Sequence, residues 1–288
     1  MIDPAVAIDR LRTAFGGPER HRTLHAKGRF YGGTFTATPE ATALGRAGHL
    51  TGDPVPVVVR WSNAGGDASV PDKVPDIRGM AVKFRLPDGT ETDLLGQTSR
   101  RFPTDSPEEF VAMTEASRRP LTFPLFMLTH PKMAPALLDG LRSKAVSAPR
   151  SFTEPTYYPI HAYGWRDAED RLSWVRYVFS AQPSRPAGSF EGPDRLFEEM
   201  AARLADGPVR FDVRLLVAGP GDDPHSAVSV WKGAREVLGG TIEVTEELPD
   251  QDPLVFDPTR VVDGIELSDD PILRYRPAAY SESISRRT

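Results

Sequence analysis

The segment PVRFDVRLLVAG, residues 208–219, alternates apolar and polar side chains with a period of two. Its apolar residues occupy every second position, at Val209, Phe211, Val213 and Leu215. The positions between them include Arg210, Asp212 and Arg214. Because successive side chains of a strand point to opposite faces of a sheet, one face of this segment is buried and the other is hydrated. The pattern is typical of an antiparallel strand with one solvated face.

Further strands are predicted where β-branched and aromatic residues concentrate between Gly, Pro and Asp turns. These segments are residues 24–38, 55–61, 78–86 and 171–180. Helical spacing of apolar residues predicts helices over residues 4–15 and 194–205. Strands that predominate, with helices inserted or trailing, indicate an α+β antiparallel sheet or barrel rather than a doubly wound fold.

A third helix is marked by its start signal. Ser106 is a candidate N-cap, Pro107 takes the first helical position, and Glu109 completes a capping box three residues after the cap. The Pro-rich stretches 182–193 and 248–258 are predicted to be loops.

The net charge of −5, with acidic and basic residues mixed, offers no phosphate-binding stripe, so a nucleic acid partner is not expected. No apolar run reaches the length of a membrane span, which argues against a membrane partner. Acids at Asp3 and Asp9 argue against a secretory signal, and a cytoplasmic location is expected. The chain has no cysteine, so any redox chemistry must come from a bound group.

The carboxyl-terminal sequence RPAAYSESISRR contains one tyrosine between arginines. If residues 270–287 are helical, Arg276, Tyr280 and Arg287 share one face. A neighbouring guanidinium favours the phenolate form of a tyrosine, which is an anionic oxygen ligand for iron. The motif R-x-x-x-Y is short, and an arginine-rich end is more often a solvated tail.

Near the other end, His25 lies three residues after Arg22 in the predicted strand 24–38. Arg60 and Ser62 are two residues apart, so an extended backbone places them on one face. A lone histidine in a strand is more often a hydrogen-bonded core residue than a catalytic one.

Six motifs together resemble the haem catalases, and most of all their short relatives, the catalase-related peroxidases. They are HAKG (25–28), VRWSN (59–63), DIRGMAVKF (76–84), TDLLG (92–96), FDPTRV (256–261) and the terminal R-x-x-x-Y. The resemblance runs from about residue 18 to the end. It implies a single domain over residues 1–288: a catalase-like antiparallel β-barrel with flanking helices, without the C-terminal extensions of full-length catalases, that binds haem b.

The resemblance also implies roles for individual residues. His25 matches the distal histidine, a general base and then acid toward peroxide, and Ser62 matches the serine that hydrogen-bonds it. Tyr280 matches the axial ligand of the iron and Arg276 its charge partner.

Arg22, Arg60 and Arg287 match the arginines that bind the haem propionates. His161 falls near the proximal-side histidine of larger catalases, and a core or loop role is an equal alternative. Phe110 matches a residue that packs on the distal haem face, and it could equally be ordinary core.

One departure concerns the catalase motif D-L-x-G-N, where this chain reads Asp93-Leu94-Leu95-Gly96-Gln97-Thr98. The carboxamide that orients peroxide is replaced, and Thr98 is the predicted substitute, with Gln97 the alternative. A hydroxyl is shorter than a carboxamide and placed differently, so rapid dismutation of hydrogen peroxide is not expected.

The expected function is therefore reduction of hydrogen peroxide or organic hydroperoxides with a small organic electron donor, with weak or no catalase activity. Two alternatives stay open: a haem-dependent isomerase or oxygenase acting on a fatty hydroperoxide, and a haem carrier without enzymatic activity. A homodimer is expected only because dimers are the commonest oligomers.

Overall fold

The computed structural model describes residues 1–16, 21–119, 121–185, 187–250 and 254–286. Within these ranges the strands are β1 (Gly28–Ala37), β2 (Val55–Asn63), β3 (Arg78–Arg85), β4 (Glu91–Gln97), β5 (Tyr158–Pro159), β6 (Tyr163–Arg166), β7 (Leu172–Ala181), β8 (Val209–Val217), β9 (Arg235–Leu248) and β10 (Ile265–Leu267). They form one ten-stranded sheet in the order β10-β6-β7-β8-β9-β1-β2-β3-β4-β5. Every pairing in it is antiparallel.

The sheet curls into a half-barrel. Tyr157, just before β5, exchanges backbone hydrogen bonds with Phe179 of β7, at 2.9 and 2.8 Å. The inner face carries the main hydrophobic core, which includes the fully buried rings of Trp61 and Phe211. Strand β8 follows the alternation that its sequence predicts, with all five odd-numbered residues from Val209 to Val217 buried.

The outer face of β1–β4 carries a second, smaller apolar cluster. Its buried members are Phe30, Val58 and Phe256, and half-buried Ala81, Leu95, Leu248 and Leu254 pack against them. Segment 254–260 is fastened over this face by the Arg260 guanidinium, which donates to buried Asp93 Oδ2 at 2.7 Å. Because an apolar face of a sheet is stable only when covered, segment 254–260 stabilises this face by burying the cluster.

The helices described are α1 (Pro4–Phe15), α2 (Pro39–Leu44), α3 (Pro107–Ser117), α4 (Thr122–Thr129), α5 (Ala134–Arg142), α6 (Arg195–Asp206) and α7 (Pro271–Ser285). Short 3₁₀ turns occupy Gly48–Leu50 and Pro131–Met133. Helices α1, α3 and α7 pack together through an apolar cluster that includes Leu11, Val111 and Tyr275. No helix in the described ranges is both long enough and apolar enough to cross a membrane.

The start of α3 agrees only in part with the capping box that the sequence predicts. Ser106 Oγ accepts from the Glu109 amide at 3.3 Å, as its position predicts. The Glu109 carboxylate, however, accepts from the Thr104 hydroxyl, and the Ser106 amide also donates to Thr104. Only half of the capping box therefore forms, because Thr104 supplies nearer partners for the other half.

Candidate functional site

His25 lies in the bend before β1, and not in a strand as its sequence neighbours suggest. Its φ of 55° is left-handed, so the chain cannot run extended through it. The His25 amide donates to the Ala64 carbonyl at 3.0 Å, which fixes the bend against the end of β2. The imidazole Nδ1 is 2.9 Å from Ser62 Oγ. The predicted partnership of these two side chains is thus present.

Gly79 makes the approach of His25 possible. It pairs with Ser62 on β2, and directly paired residues project to the same face of a sheet. A Cβ on Gly79 would lie 2.8 Å from His25 Cε1, His25 Nδ1 and Ser62 Oγ. The imidazole therefore occupies the space that any other residue would fill with its side chain.

The electrostatic surroundings of His25 keep its imidazole neutral. Burial, together with the positive charges of Arg60, Arg276 and Arg22, lowers the pKa of His25 to about 3, and burial is the largest cause. A neutral imidazole whose Nδ1 is held by a hydroxyl leaves Nε2 available for proton transfer. This is the state that a general base requires at neutral pH.

Two arginines border the same outer face. The Arg60 guanidinium carbon is 5.4 Å from the centre of the Phe30 ring, and that of Arg22 is 6.0 Å from it. Arg22 also donates to the Leu254 carbonyl at 2.8 Å, and Arg60 to the Ala26 carbonyl at 3.3 Å. Planar guanidinium groups at the edge of an apolar patch suit a ligand with an apolar body and carboxylate arms.

A chain of hydrogen bonds runs along the other side of the site. Asp270 caps α7 by accepting from the Ile272 amide at 2.9 Å, and its second oxygen is 2.6 Å from His161 Nδ1. The Arg276 guanidinium lies 3.1 Å from His161 Nε2. Because a guanidinium only donates, Nε2 must accept, and the proton of the imidazole must sit on Nδ1, facing Asp270.

Burial explains why this arrangement uses a neutral histidine. It lowers the pKa of His161 to about 4, against the opposing effect of the Asp270 carboxylate. One α7 turn beyond, the Arg276 guanidinium lies 5.9 Å from the centre of the Tyr280 ring. The four residues form one continuous path from the helix cap to the phenol.

The phenol itself is subject to two opposed effects. Burial raises the pKa of Tyr280 above its ordinary value, while Arg276 and Arg22 lower it and do not fully compensate. Arg276, the neighbour that the R-x-x-x-Y motif provides, is therefore not sufficient by itself to ionise the phenol. A cation bound at the phenol oxygen would supply the missing stabilisation.

The two sides of the site are tied to each other. Thr23 Oγ1, two residues before His25, is 3.1 Å from the hydroxyl of Ser283 on α7. The charges of Arg276 and Arg22 act on both His25 and Tyr280. The fold thus brings together residues that are more than 250 positions apart in the sequence.

The remaining predicted residues are placed differently. The Thr98 hydroxyl donates to the Ala145 carbonyl at 2.6 Å and accepts from the Arg78 amide at 3.1 Å, so backbone groups engage it in both directions. Gln97 pairs with Gly79, which places it on the same face as Ser62, across the position of the imidazole. The geometry therefore favours Gln97 over Thr98 as the carboxamide position.

Phe110 lies on α3 and its ring contacts that of Phe102 in a tilted arrangement, with ring centres 4.6 Å apart. It also borders the apolar cluster that includes Leu24 and Tyr275, so it packs between helices near the His25 segment. Its contact with haem stays a prediction. Arg287 lies outside the described residues. Among the described residues, no group of three or more His, Cys, Asp or Glu could hold a metal ion.

Sequence reasoning missed two residues of this site. Asp270 stands directly before Pro271, and Asp followed by Pro is a helix start signal. The hydrogen bond between the second Asp270 oxygen and His161, however, depends on tertiary contact. Gly79 stands in a strand, where glycine often marks the close approach of another group. The sequence alone therefore predicts a close approach of another group at Gly79.

Comparisons with known proteins identify the family and the fold of this chain. The family model described as Catalase matches residues 17–188. A catalase-related peroxidase of Mycolicibacterium paratuberculosis is 43% identical over all of this chain and 95% of its own length. Another, from Synechococcus elongatus, is 28% identical over all of this chain and 89% of its own length.

Larger relatives share the fold over part of their length. A catalase of Latilactobacillus sakei is 25% identical over 91% of this chain, which spans 61% of that protein. The structure of a fungal catalase superposes with a TM-score of 0.80 at 19% identity, covering 93% of this chain and 59% of the other. Since the family model matches more than half of the chain, and a relative of nearly equal length is 43% identical, the chain belongs to the catalase family.

Proposed function

We propose that the chain is a haem-dependent peroxidase that reduces hydrogen peroxide or organic hydroperoxides with a small organic electron donor, and that its catalase activity is weak or absent. One observation carries the proposal: the His25 imidazole lies 2.9 Å from Ser62 Oγ, the Arg276 guanidinium lies 5.9 Å from the Tyr280 ring, and the charges of Arg276 and Arg22 act on both His25 and Tyr280. The two relatives named catalase-related peroxidase support the same activity.

The residues of the site fit haem b. The buried cluster around Phe30 and Phe256 would border a planar macrocycle with apolar side chains. The guanidinium groups of Arg22 and Arg60 suit two carboxylate arms, and the Tyr280 oxygen suits ferric iron. When bound, haem supplies the iron at which the O–O bond of a peroxide is reduced.

His25 moves the proton in this proposal. Its Nε2 accepts the proton of the hydroperoxide and returns it to the departing oxygen, while Ser62 holds Nδ1 and so fixes the plane of the ring. In the balanced reaction, the hydroperoxide takes two electrons and two protons from the donor and leaves as an alcohol, or water, plus water.

On the opposite side, Asp270 and His161 hold the Arg276 guanidinium in place. Arg276 then stabilises negative charge on the Tyr280 oxygen against the effect of burial. This pairing suits an anionic ligand that donates electron density to iron.

Weak dismutation follows from the position of Gln97. Dismutation needs a second hydrogen peroxide molecule to be oriented as the reductant, and a longer side chain places its carboxamide differently from asparagine. Thr98 cannot substitute without giving up its bonds to Ala145 and Arg78.

The test starts with the absorption spectrum of the purified protein reconstituted with haem. Tyr280→Phe is expected to lose stable haem retention or the spectrum of a ferric phenolate. His25→Ala is expected to retain haem and to lose about 10²–10⁴-fold of peroxidase turnover. Unchanged spectra in Tyr280→Phe, or unchanged turnover in His25→Ala, would contradict the proposal.

The choice of substrate separates the alternatives. Turnover of hydrogen peroxide with an aromatic donor, but with little oxygen release, supports the peroxidase. Conversion of a fatty hydroperoxide without consumption of a donor would instead identify an isomerase or oxygenase. Bound haem that reacts with neither peroxide would identify a carrier.

A further inference from the structure

Helix α4 exposes an apolar face for which the described residues provide no cover. Its sequence, TFPLFMLT, is apolar around most of its circumference, yet none of its side chains is buried. Leu121, just before the helix, is 91% exposed, Leu125 is 63% exposed and Leu128 is 79% exposed. Because these positions are four and three apart, the three leucines project from one side of the helix.

Helix α5 follows α4 after the turn Pro131–Met133 and carries two more exposed leucines. Leu138 is 51% exposed and Leu141, three residues on, is 73% exposed. We define the leucine surface as Leu121, Leu125, Leu128, Leu138 and Leu141. Single exposed leucines need no explanation, but several on two consecutive helices mark an interaction site.

The charge around the leucine surface differs in sign from that of the whole chain. Between residues 117 and 145 the sequence has five basic residues, Arg118, Arg119, Lys132, Arg142 and Lys144. One carboxylate, Asp139, accompanies them, and it lies 3.9 Å from Arg101. The chain as a whole carries a net charge of −5. These five basic residues lie before, between and after the exposed leucines in the sequence of an acidic protein, and we call them the basic rim.

The basic rim faces solvent. Arg118, Arg119, Lys132, Arg142 and Lys144 are all exposed, and the Arg118 guanidinium also lies 5.1 Å from the Phe15 ring on α1. Exposed lysines and arginines around apolar side chains are the features of surfaces that bind anionic lipid headgroups while inserting leucines below them.

We propose that the leucine surface and its basic rim dock this protein onto a bilayer that contains anionic phospholipid. The expectation that excludes a membrane partner rests on the lack of a spanning segment, and peripheral docking needs none. A second copy is the competing occupant. In a two-fold dimer each patch meets itself, so the basic rims would face one another at an electrostatic cost, whereas anionic headgroups complement them.

Vesicle co-sedimentation of the purified protein tests this proposal. Binding is expected to vesicles of equal parts phosphatidylcholine and phosphatidylglycerol, and not to phosphatidylcholine alone. Leu125→Ser/Leu128→Ser is expected to weaken binding about tenfold or more, since two exposed leucines lose their burial in the acyl region. Leu238→Ser, at a leucine that is 45% exposed on β9, is the matched control and should bind as the parent does.

A charge series tests the rim separately. Arg119→Gln/Lys132→Gln/Arg142→Gln is expected to weaken binding to the anionic vesicles roughly a hundredfold and to reduce its dependence on salt. Lys73→Gln/Lys232→Gln/Arg235→Gln removes equal charge elsewhere and should leave most of the binding.

Folding is checked by thermal unfolding of every variant, and Leu121→Ser replaces the double variant if the latter unfolds. The proposal is overturned if the parent does not bind anionic vesicles, or if the leucine variants bind as well as the parent. It is also overturned if sedimentation shows self-association that these variants abolish while vesicle binding is absent, since that result identifies a second copy as the occupant.

Discussion

Substitution of Gly79 by alanine tests whether the imidazole of His25 depends on the absence of one methyl group. The new Cβ would lie 2.8 Å from both His25 Nδ1 and Ser62 Oγ, which are now hydrogen-bonded to each other at 2.9 Å. Non-bonded heavy atoms prefer about 3.5–4.0 Å, so the ring must move by roughly 0.7 Å or more. The hydrogen bond between Ser62 and His25 would be strained or lost.

The expected effect is on turnover rather than on folding. Misplacement of a catalytic group by about 1 Å can cost ~10²-fold in rate, so kcat/KM for peroxide is expected to fall about 10–100-fold, equivalent to about 1.4–2.7 kcal/mol. Overpacking costs about 1–3 kcal/mol of stability, and replacing glycine by alanine returns about 0.4–1 kcal/mol through the unfolded chain.

The assay compares peroxidase turnover, the haem spectrum and thermal unfolding in Gly79→Ala and Gly65→Ala. Gly65 is a matched control near the same bend, because its Cβ would have its nearest contact at 3.8 Å, to Asp76 Oδ2. Gly65→Ala should retain parental turnover. If Gly79→Ala also retained it, with haem bound and the fold intact, the argument that the ring position governs turnover would be wrong.

Three further predictions concern the same site. Burial and the neighbouring arginine charges lower the pKa of His25 to about 3, so the imidazole is neutral above that value. Peroxidase turnover should therefore stay level from neutral pH down to about pH 5 and fall only nearer pH 3. A loss of turnover centred near pH 6.5 in a pH profile would contradict this. Gln97→Ala should lower turnover of peroxide with little change in melting temperature. Thr98→Val should lower the free energy of unfolding by about 1–3 kcal/mol, because it removes a hydroxyl that both donates and accepts a hydrogen bond. The opposite pattern in calorimetry and kinetics would assign the carboxamide position to Thr98. Asp270→Asn can still cap α7 but removes the charge that orients His161, so haem affinity or turnover should fall about 10–100-fold. Haem titration and peroxidase assays measure the two quantities. Wild-type affinity and turnover together would count against this role of Asp270.

Periodicity predicted the strands whose two faces differ in burial, such as β8. It did not predict β9, the fourteen-residue strand between β8 and β1. Gly239 and Gly240 interrupt its sequence as a turn would, but Gly240 pairs with both Val213 and Ala37. The pairing shifts register by one residue beyond Val213, an irregularity that only the neighbouring strand reveals.

Helices α4 and α5 were not predicted either. Their apolar residues do not form a buried stripe, and local spacing identifies a helix only when one face is covered by the rest of the protein. The N-cap signals are weak there as well, since neither Leu121 nor Met133 makes a side-chain capping bond.

The sequence by itself determined the residue types of the site and their order. A histidine three residues after an arginine, a serine on the second predicted strand, and an arginine four residues before a tyrosine on a helical face are local facts that spacing makes visible. The glycine beneath the imidazole is likewise visible, although its purpose is not.

Only the tertiary structure decided which of these groups meet. The left-handed bend at His25, the second oxygen of Asp270 on His161, the engagement of the Thr98 hydroxyl and the side on which Gln97 lies all depend on strand register and helix docking. Register is set by the burial of a whole face at once, and a slip of one residue would turn every side chain of a strand to the opposite face. No local stretch of sequence contains that information, because the contacts that fix it join residues far apart in the chain.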